Sequence, residues 1–431
     1  MYASVNLPYI DKAMKKIIIF ITIISILAAF TGCTLSPGRN TEGHNSLDDE
    51  TDGTSNAQSV EQTDEHNEAA TEIPFNETEE YAAVKEAADS IAASYGAVAV
   101  QAAVIKDGKI YFTYEYGKAD TSTDKAVTPD TKFRIASLSK LVTDMVFMAL
   151  CDEGKVSLDG DISDYLGFTV RNPSFPDTVI TPAMLMSHTG SIIDTSDFLN
   201  SRLSGSSTPI KQLLSSGCFA YYEPGTYYSY SNFSVALIGS IAELVTGTPF
   251  NDLAEKYVFD PLGIDAGFTA SAIKDTDLVA NLYGNGGYSV EQQMALAPHE
   301  TLGQTHHLVQ GNLTISAKDY MNIAAVLSNG GVSADGTRLL SEAGTDELLK
   351  IRYESESFRS CFGLLRQTNV IEGTDVCCHT GSNFGMFSAF TIDPETGYGV
   401  AVLTSGADGS KDSQTDIYNI CLDTIRAMWN K

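Results

Sequence analysis

The sequence predicts an α/β protein of the α+β type, in which one antiparallel sheet flanked by helices sits beside a helical subdomain. Three observations lead there: hairpin-like strand pairs stand near both ends of the folded part, the stretch between them is rich in helical apolar spacing, and no repeat period is visible. Strands contributed by both termini pair most simply in one antiparallel sheet, with the intervening chain as a helical insertion.

The first element is a helix, because Tyr81, Val84, Ala87, Ala88 and Ile91 recur at helical spacing and Gly96 follows as a stop. Two strand-like runs come next, Val98 to Ile105 and Lys109 to Tyr116. They are joined by Asp107-Gly108, a pair that tolerates the left-handed backbone of a tight hairpin. Further on, Leu141, Met145, Met148 and Ala149 form a helical stripe that ends near Gly154, and Phe233 to Val245 form another that ends at Thr246-Gly247. The second hairpin runs from Phe387 to Ile392 and from Gly399 to Thr404 around Asp393 to Gly397, and a last helix is expected from Asp416 to Trp429.

Ahead of these elements the chain changes character twice. Lys15 and Lys16 precede an apolar run from Ile17 to Phe30, too short to span a bilayer but suited to the core of a secretory signal with Met14 as its start. The junction Phe30-Thr31-Gly32-Cys33 is similar to a bacterial lipobox, with Phe where Leu is usual. Residues 1–33 are therefore expected to be a lipoprotein-type signal with Cys33 as the lipidated residue; simple cleavage and a retained anchor are the alternatives. Residues 34–80 hold thirteen acids against Arg39 alone, a net of −12, with Phe75 as their single aromatic side chain. Such a segment buries too little surface to offset the entropy of ordering, so it reads as an acidic tether. Its coil would span on the order of 40 Å.

The whole chain carries 27 basic and 55 acidic residues, a formal charge of −28. That balance excludes gripping nucleic acid or an anionic membrane surface through Lys and Arg, and leaves a basic partner or a neutral small substrate open; the partner expected is a small-molecule or peptide substrate. Membrane contact is expected through the lipid anchor alone. Cys151, Cys218, Cys361, Cys377, Cys378 and Cys421 read as buried thiols, and neither Cys377-Cys378-His379 nor His306-His307 has the spacing of a zinc site. No metal and no cofactor are expected, and the protein is expected to be a monomer.

Three short segments carry the chemistry. In Ser137-Leu138-Ser139-Lys140 the hydroxyl and the amine are three apart, on one face of a helix that begins at the Ser. A buried Lys can act as a base, and a helix start directs N–H groups at developing negative charge. Tyr230-Ser231-Asn232 offers a phenol for proton transfer and an amide for binding. His379-Thr380-Gly381-Ser382 precedes the C-terminal hairpin as a strand that can lie along a substrate, with His379 placed to hydrogen-bond a substrate carbonyl or carboxylate. The same triplet occurs at His188-Thr189-Gly190. That earlier copy, after Met184-Leu185-Met186-Ser187, is expected to be a structural helix end and a decoy.

In this order and spacing, S-x-x-K, Y-x-N and H-T-G resemble the penicillin-recognising serine hydrolases: class C β-lactamases, D-alanyl-D-alanine carboxypeptidases, D-aminopeptidases and family VIII esterases. The resemblance covers residues 81–431 and extends to Gly154 through Gly160, Ser187 through Gly190, and Gly311 through Ser316. It implies a β-lactamase/transpeptidase-like fold with its site between the sheet and the helical subdomain. It also implies Ser137 as the acylated nucleophile, Lys140 and Tyr230 sharing proton transfer, and Asn232 holding the substrate amide. His379, Thr380, Gly381 and Ser382 would lie along the substrate, with the Ser137 and Ser382 N–H groups as oxyanion hole. Which of Lys140 and Tyr230 is the base stays open.

This chain departs from class C β-lactamases at His379, where they carry Lys, a form closer to the carboxypeptidases and esterases. The expected activity is an acyl-enzyme hydrolase acting on amide or ester carbonyls. A penicillin-binding or sensor protein without turnover is the alternative, disfavoured by the joint presence of Ser137, Lys140 and Tyr230. No G-x-S-x-G elbow is present, which argues against an α/β-hydrolase.

Overall fold

The computed structural model describes residues 74–431 except 205–207, 285, 298–300 and 305–307. The signal-like segment with Cys33, the tether up to residue 73, and His306-His307 lie outside the described residues.

The strands are β1 (Ala99–Lys106), β2 (Lys109–Asp120), β3 (Lys125–Ala126), β4 (Phe133–Arg134), β5 (Thr314–Ile315), β6 (Tyr353–Glu354), β7 (Arg359–Ser360), β8 (Leu365–Ile371), β9 (Thr374–Asn383), β10 (Met386–Ile392) and β11 (Gly399–Ser405). Nine of them form one sheet in the order β3-β2-β1-β11-β10-β9-β8-β7-β6, and β4 pairs with β5 separately. The first and last strands thus lie side by side within it, β1 running antiparallel to β11 with Ala99 opposite Ser405 and Ile105 opposite Gly399. The β1–β2 turn is closed by Asp107 and Gly108, both with positive φ (52° and 71°), the conformation a two-residue hairpin of matching twist requires.

The period of two along β1 explains the layers. Val100, Ala102 and Val104 face one apolar cluster, while Ala99, Ala103 and Ile105 face the other. On the first face pack the helices of the two ends, α1 (Glu79–Ser94) and α6 (Asn419–Met428), which also touch each other. On the second lie α5 (Ala317–Ala325), against β1 and β11, and the helical body built on α2 (Ser139–Asp152), α3 (Pro182–Met186) and α4 (Asn232–Thr246). α2 is buried from Ser139 to Leu150 and α4 from Phe233 to Glu243, so the two long apolar stripes are the helical core. α4 ends at Gly247, in the left-handed conformation. α6 is shorter than expected, because Lys411 to Tyr418 form a bridged loop instead of its first turn.

The packed domain begins earlier than residue 81. Phe75 lies in a 3₁₀ turn, buried, with its ring 4.6 Å from Tyr111, 4.9 Å from Phe112 and 6.0 Å from Tyr81. α1 then starts at Glu79, capped by Thr78, whose side chain accepts the Tyr81 N–H. The acidic composition of residues 34–80 masks this one aromatic anchor. The six cysteines in the described residues are free; Cys151 is half-buried and the other five are buried. Replacing Phe75 by Ala should destabilise the domain by about 3 kcal/mol in denaturant unfolding. An unchanged midpoint would show that the packed unit starts after it.

Candidate active site

The site is assembled where the approach to α2 meets β9 and the start of α4. α2 itself begins at Ser139, not at Ser137. The preceding residues Ala136–Leu138 make a single 3₁₀ turn, and Ala136 has φ +50°, an uncommon conformation for a residue with a Cβ. Hydrogen bonds fix that turn on both sides. Ser139 Oγ donates to the Ala136 carbonyl (2.6 Å) and accepts the Leu313 N–H (3.0 Å); Ile135 N–H donates to the Leu313 carbonyl (2.8 Å). Despite the kink, the three-residue spacing performs as the sequence suggests, with Lys140 Nζ 3.0 Å from Ser137 Oγ.

Lys140 is fully buried. Burying an amine without partners costs several kcal/mol, so its surroundings matter. Nζ donates to Ser137 Oγ, to Asn232 Oδ1 (3.0 Å) and to the Gln310 backbone carbonyl (2.7 Å). Tyr230, more exposed at 39%, donates its hydroxyl to the same Ser137 Oγ at 2.8 Å, and its ring lies over Nζ at 5.0 Å. Two proton-carrying groups therefore converge on one hydroxyl oxygen. Asn232 opens α4, which is capped by Ser231: its Oγ accepts the Ser234 N–H.

β9 runs past Ser137. A Cβ on Gly381 would lie 2.5 Å from Ser388 Oγ, 2.6 Å from the Ile135 carbonyl oxygen and 3.0 Å from the Ser137 nitrogen, so glycine alone permits this approach. Ser388 Oγ in turn donates to the Ile135 carbonyl at 2.9 Å. Ser137, Tyr230, Asn232 and the run from His379 to Ser382 line one cavity of about 620 Å³, together with Tyr228 and Phe358 on one wall and Lys411 and Tyr418 on another. The three motifs of the sequence thus meet at a single cavity.

His379 lines the cavity with one ring nitrogen engaged by its own chain. Its Nδ1 is 2.7 Å from the Thr380 carbonyl oxygen, which can only accept, so Nδ1 carries a proton. Burial, and then the nearby Lys140, hold its pKa down to about 3, so the ring is neutral and Nε2 keeps a lone pair.

The earlier H-T-G copy is a helix end, as expected, yet it is not remote. It follows α3, and the His188 ring packs 4.6 Å from the ring of Tyr230. The His188 carbonyl accepts the Ser229 N–H (2.8 Å), its Nδ1 accepts the Ser231 N–H (3.3 Å), and the Thr189 carbonyl accepts the Gly225 N–H (2.8 Å). Burial holds this imidazole neutral, well below its ordinary range. The segment therefore braces the loop that carries Tyr230.

Two further residues escaped sequence reasoning. Gln310 acts through its carbonyl, which leaves no mark in a side-chain pattern. Asp194 takes the Asn232 Nδ2 hydrogen bond at 2.8 Å and the Phe233 N–H at 2.9 Å, but it stands 38 positions before Asn232 with no motif around it. Among the described residues, no three His, Cys, Asp or Glu side chains are grouped to hold a metal ion.

Comparison with known proteins places the chain in a family. A family model described as Beta-lactamase matches residues 82–423. Penicillin-binding protein 4 of Amycolatopsis lactamdurans is 29% identical over 319 residues, covering 70% of this chain and 80% of that protein. The D-aminopeptidase of Brucella anthropi is 32% identical over 190 residues, 44% of this chain and only 35% of the relative. Among solved structures, the D-amino acid amidase of Ochrobactrum anthropi SV3 complexed with L-phenylalanine has a TM-score of 0.64 at 21% identity, covering 81% of this chain and 97% of that one, a likeness of fold. With the family model spanning most of the folded part, the chain belongs to the Beta-lactamase family of serine hydrolases.

Proposed function

We propose that this protein hydrolyses amide or ester carbonyls through an acyl-enzyme on Ser137, with D-amino-acyl or D-alanyl-D-alanine-type peptides, β-lactams and esters as the substrate classes. The observation that carries the reading is the convergence of Lys140 Nζ and Tyr230 OH on Ser137 Oγ at the floor of the cavity. As Oγ attacks the carbonyl carbon, its proton passes to Lys140 as the neutral amine or to Tyr230 as the phenolate, and the carbonyl π electrons move to oxygen. The N–H groups of Ser137 and Ser382 stabilise that oxyanion. Collapse breaks the bond to the leaving nitrogen or oxygen, which takes the proton, and water then attacks the acyl ester by the reverse route. The similarity to a D-aminopeptidase and a penicillin-binding protein supports a peptide-like acyl donor.

The neutral His379 bears on substrate choice. Its acceptor nitrogen suits an N–H or O–H on the substrate and supplies no charge for a carboxylate, which supports amines, amides and esters over penicillin-like acids. The leader supports a surface location, with Cys33 lipidated and the acidic segment as spacer between membrane and domain.

Full-length protein assayed with a p-nitrophenyl ester, a D-alanine amide, a D-Ala-D-Ala peptide and a chromogenic cephalosporin should turn over at least one of them. Ser137→Ala should lower that rate by 10⁵-fold or more, on the order of the loss seen when an essential nucleophile is removed; a variant that keeps full turnover refutes the mechanism. The pH profile makes a second prediction. With its pKa lowered to about 3, His379 stays unprotonated above pH 5, so no ionisation near 6.5 should appear that His379→Gln abolishes. The preference for a free-acid over an amide-capped peptide should likewise stay constant from pH 5 to 8. A preference for the acid that rises below pH 6.5 would mean that the ring gains a proton and acts as a donor.

A further inference from the structure

The Asn232 amide is held at both ends by groups of opposite kind. Lys140 Nζ donates to Oδ1 at 3.0 Å; the Asp194 carboxylate can only accept and meets Nδ2 at 2.8 Å. Turning the amide over would set its NH₂ against the Nζ–H that now donates to it and its oxygen against the carboxylate, two repulsive contacts in place of two hydrogen bonds. The other oxygen of Asp194 accepts the Phe233 N–H at 2.9 Å and the Ser231 hydroxyl at 3.3 Å, which ties the carboxylate to the first turn of α4.

We propose that Asp194 is a positioning residue of this hydrolase: it sets the polarity of the Asn232 amide and thereby holds Lys140 Nζ within reach of Ser137 Oγ. The inference rests on the Ser137 reading above. Reactive groups misplaced by about 1 Å lose on the order of a hundredfold in rate, so the orientation of one amide is enough to matter. Among the described residues, the other titratable groups that face Lys140 are Tyr230, the neutral His188 and His379, and Asp144 one turn along α2. Burial pushes the Asp144 carboxyl well above the ordinary carboxylate range, and neither of its oxygens has a hydrogen-bond partner. Within this set, the Asp194–Asn232 pair is the route by which a carboxylate is linked by hydrogen bonds to the Lys140 amine.

The chemistry of Asp194 separates this role from simple capping. In Asp194→Asn the remaining oxygen can still accept the Phe233 N–H and the Ser231 hydroxyl, so the helix keeps its cap, but an NH₂ now opposes the Asn232 NH₂. The exchange Asp194→Asn with Asn232→Asp restores a consistent chain, in which residue 194 donates to the new carboxylate and Lys140 still meets an acceptor.

Full-length wild type, Asp194→Asn, the exchange and Ser137→Ala are compared on the ester from pH 5 to 10, because the exchange moves a carboxylate beside Lys140. Asp194→Asn should lower kcat/KM about a hundredfold through kcat, with KM and melting temperature essentially unchanged. The exchange should regain about tenfold over that single variant at its own optimum. Wild-type activity in Asp194→Asn, or an exchange no better than the single variant at every pH, overturns the proposal. Ser137-dependent turnover in wild type with unaltered Asp194→Asn overturns the proposal alone. Wild-type turnover that survives Ser137→Ala overturns the hydrolase reading and the proposal with it.

Discussion

Everything around the site depends on one buried amine. Lys140 Nζ sits in an interior that penalises charge and is stabilised by three acceptors from three parts of the chain: the Ser137 hydroxyl, the Asn232 amide and the Gln310 carbonyl. Each contact is short because a larger element delivers it. α2 sets the spacing from Ser137, the capped start of α4 sets Asn232, and the segment leading into β5 sets Gln310. A loss of any one partner would leave a buried donor unmet, the costly side of hydrogen-bond energetics.

The sheet imposes the second constraint. β9 lies close enough to the Ser137 turn that residue 381 has no room for a Cβ, so the strand and Ser137 are fixed relative to one another by backbone contact. That turn includes a non-glycine residue with positive φ, Ala136, held by the hydrogen bonds of Ser139 and Leu313. A rigid edge and a kinked turn together present Ser137 Oγ to the cavity. Tyr228, Phe358, Lys411 and Tyr418 complete the lining of that cavity.

Much of this was legible in the sequence, for physical reasons that differ by element. The period of two in β1 and the Asp107-Gly108 turn are local and read directly, as are the apolar stripes of α2 and α4. Ser137, Lys140, Tyr230, Asn232 and His379 to Ser382 were also legible, because short-range spacing fixes how Ser meets Lys and how Tyr adjoins Asn. What was not legible depends on long-range packing or on a single proton. Phe75 was hidden in acidic surroundings, and the contact of His188 with Tyr230 could not be read from a triplet that marks a helix end. Asp194 carries no local signal. His379 was recognised by position, but its donor or acceptor character is decided by the carbonyl of its own neighbour, Thr380.

The central claim, that Ser137 is the nucleophile of a hydrolase, is tested most directly by trapping. Full-length protein is incubated with a slowly released acyl donor such as a penicillin or an activated ester, quenched in acid, digested and mapped by mass spectrometry. One stoichiometric adduct is expected on the peptide containing Ser137, absent from Ser137→Ala. An adduct on another residue, or turnover with Ser137 never modified, would contradict it.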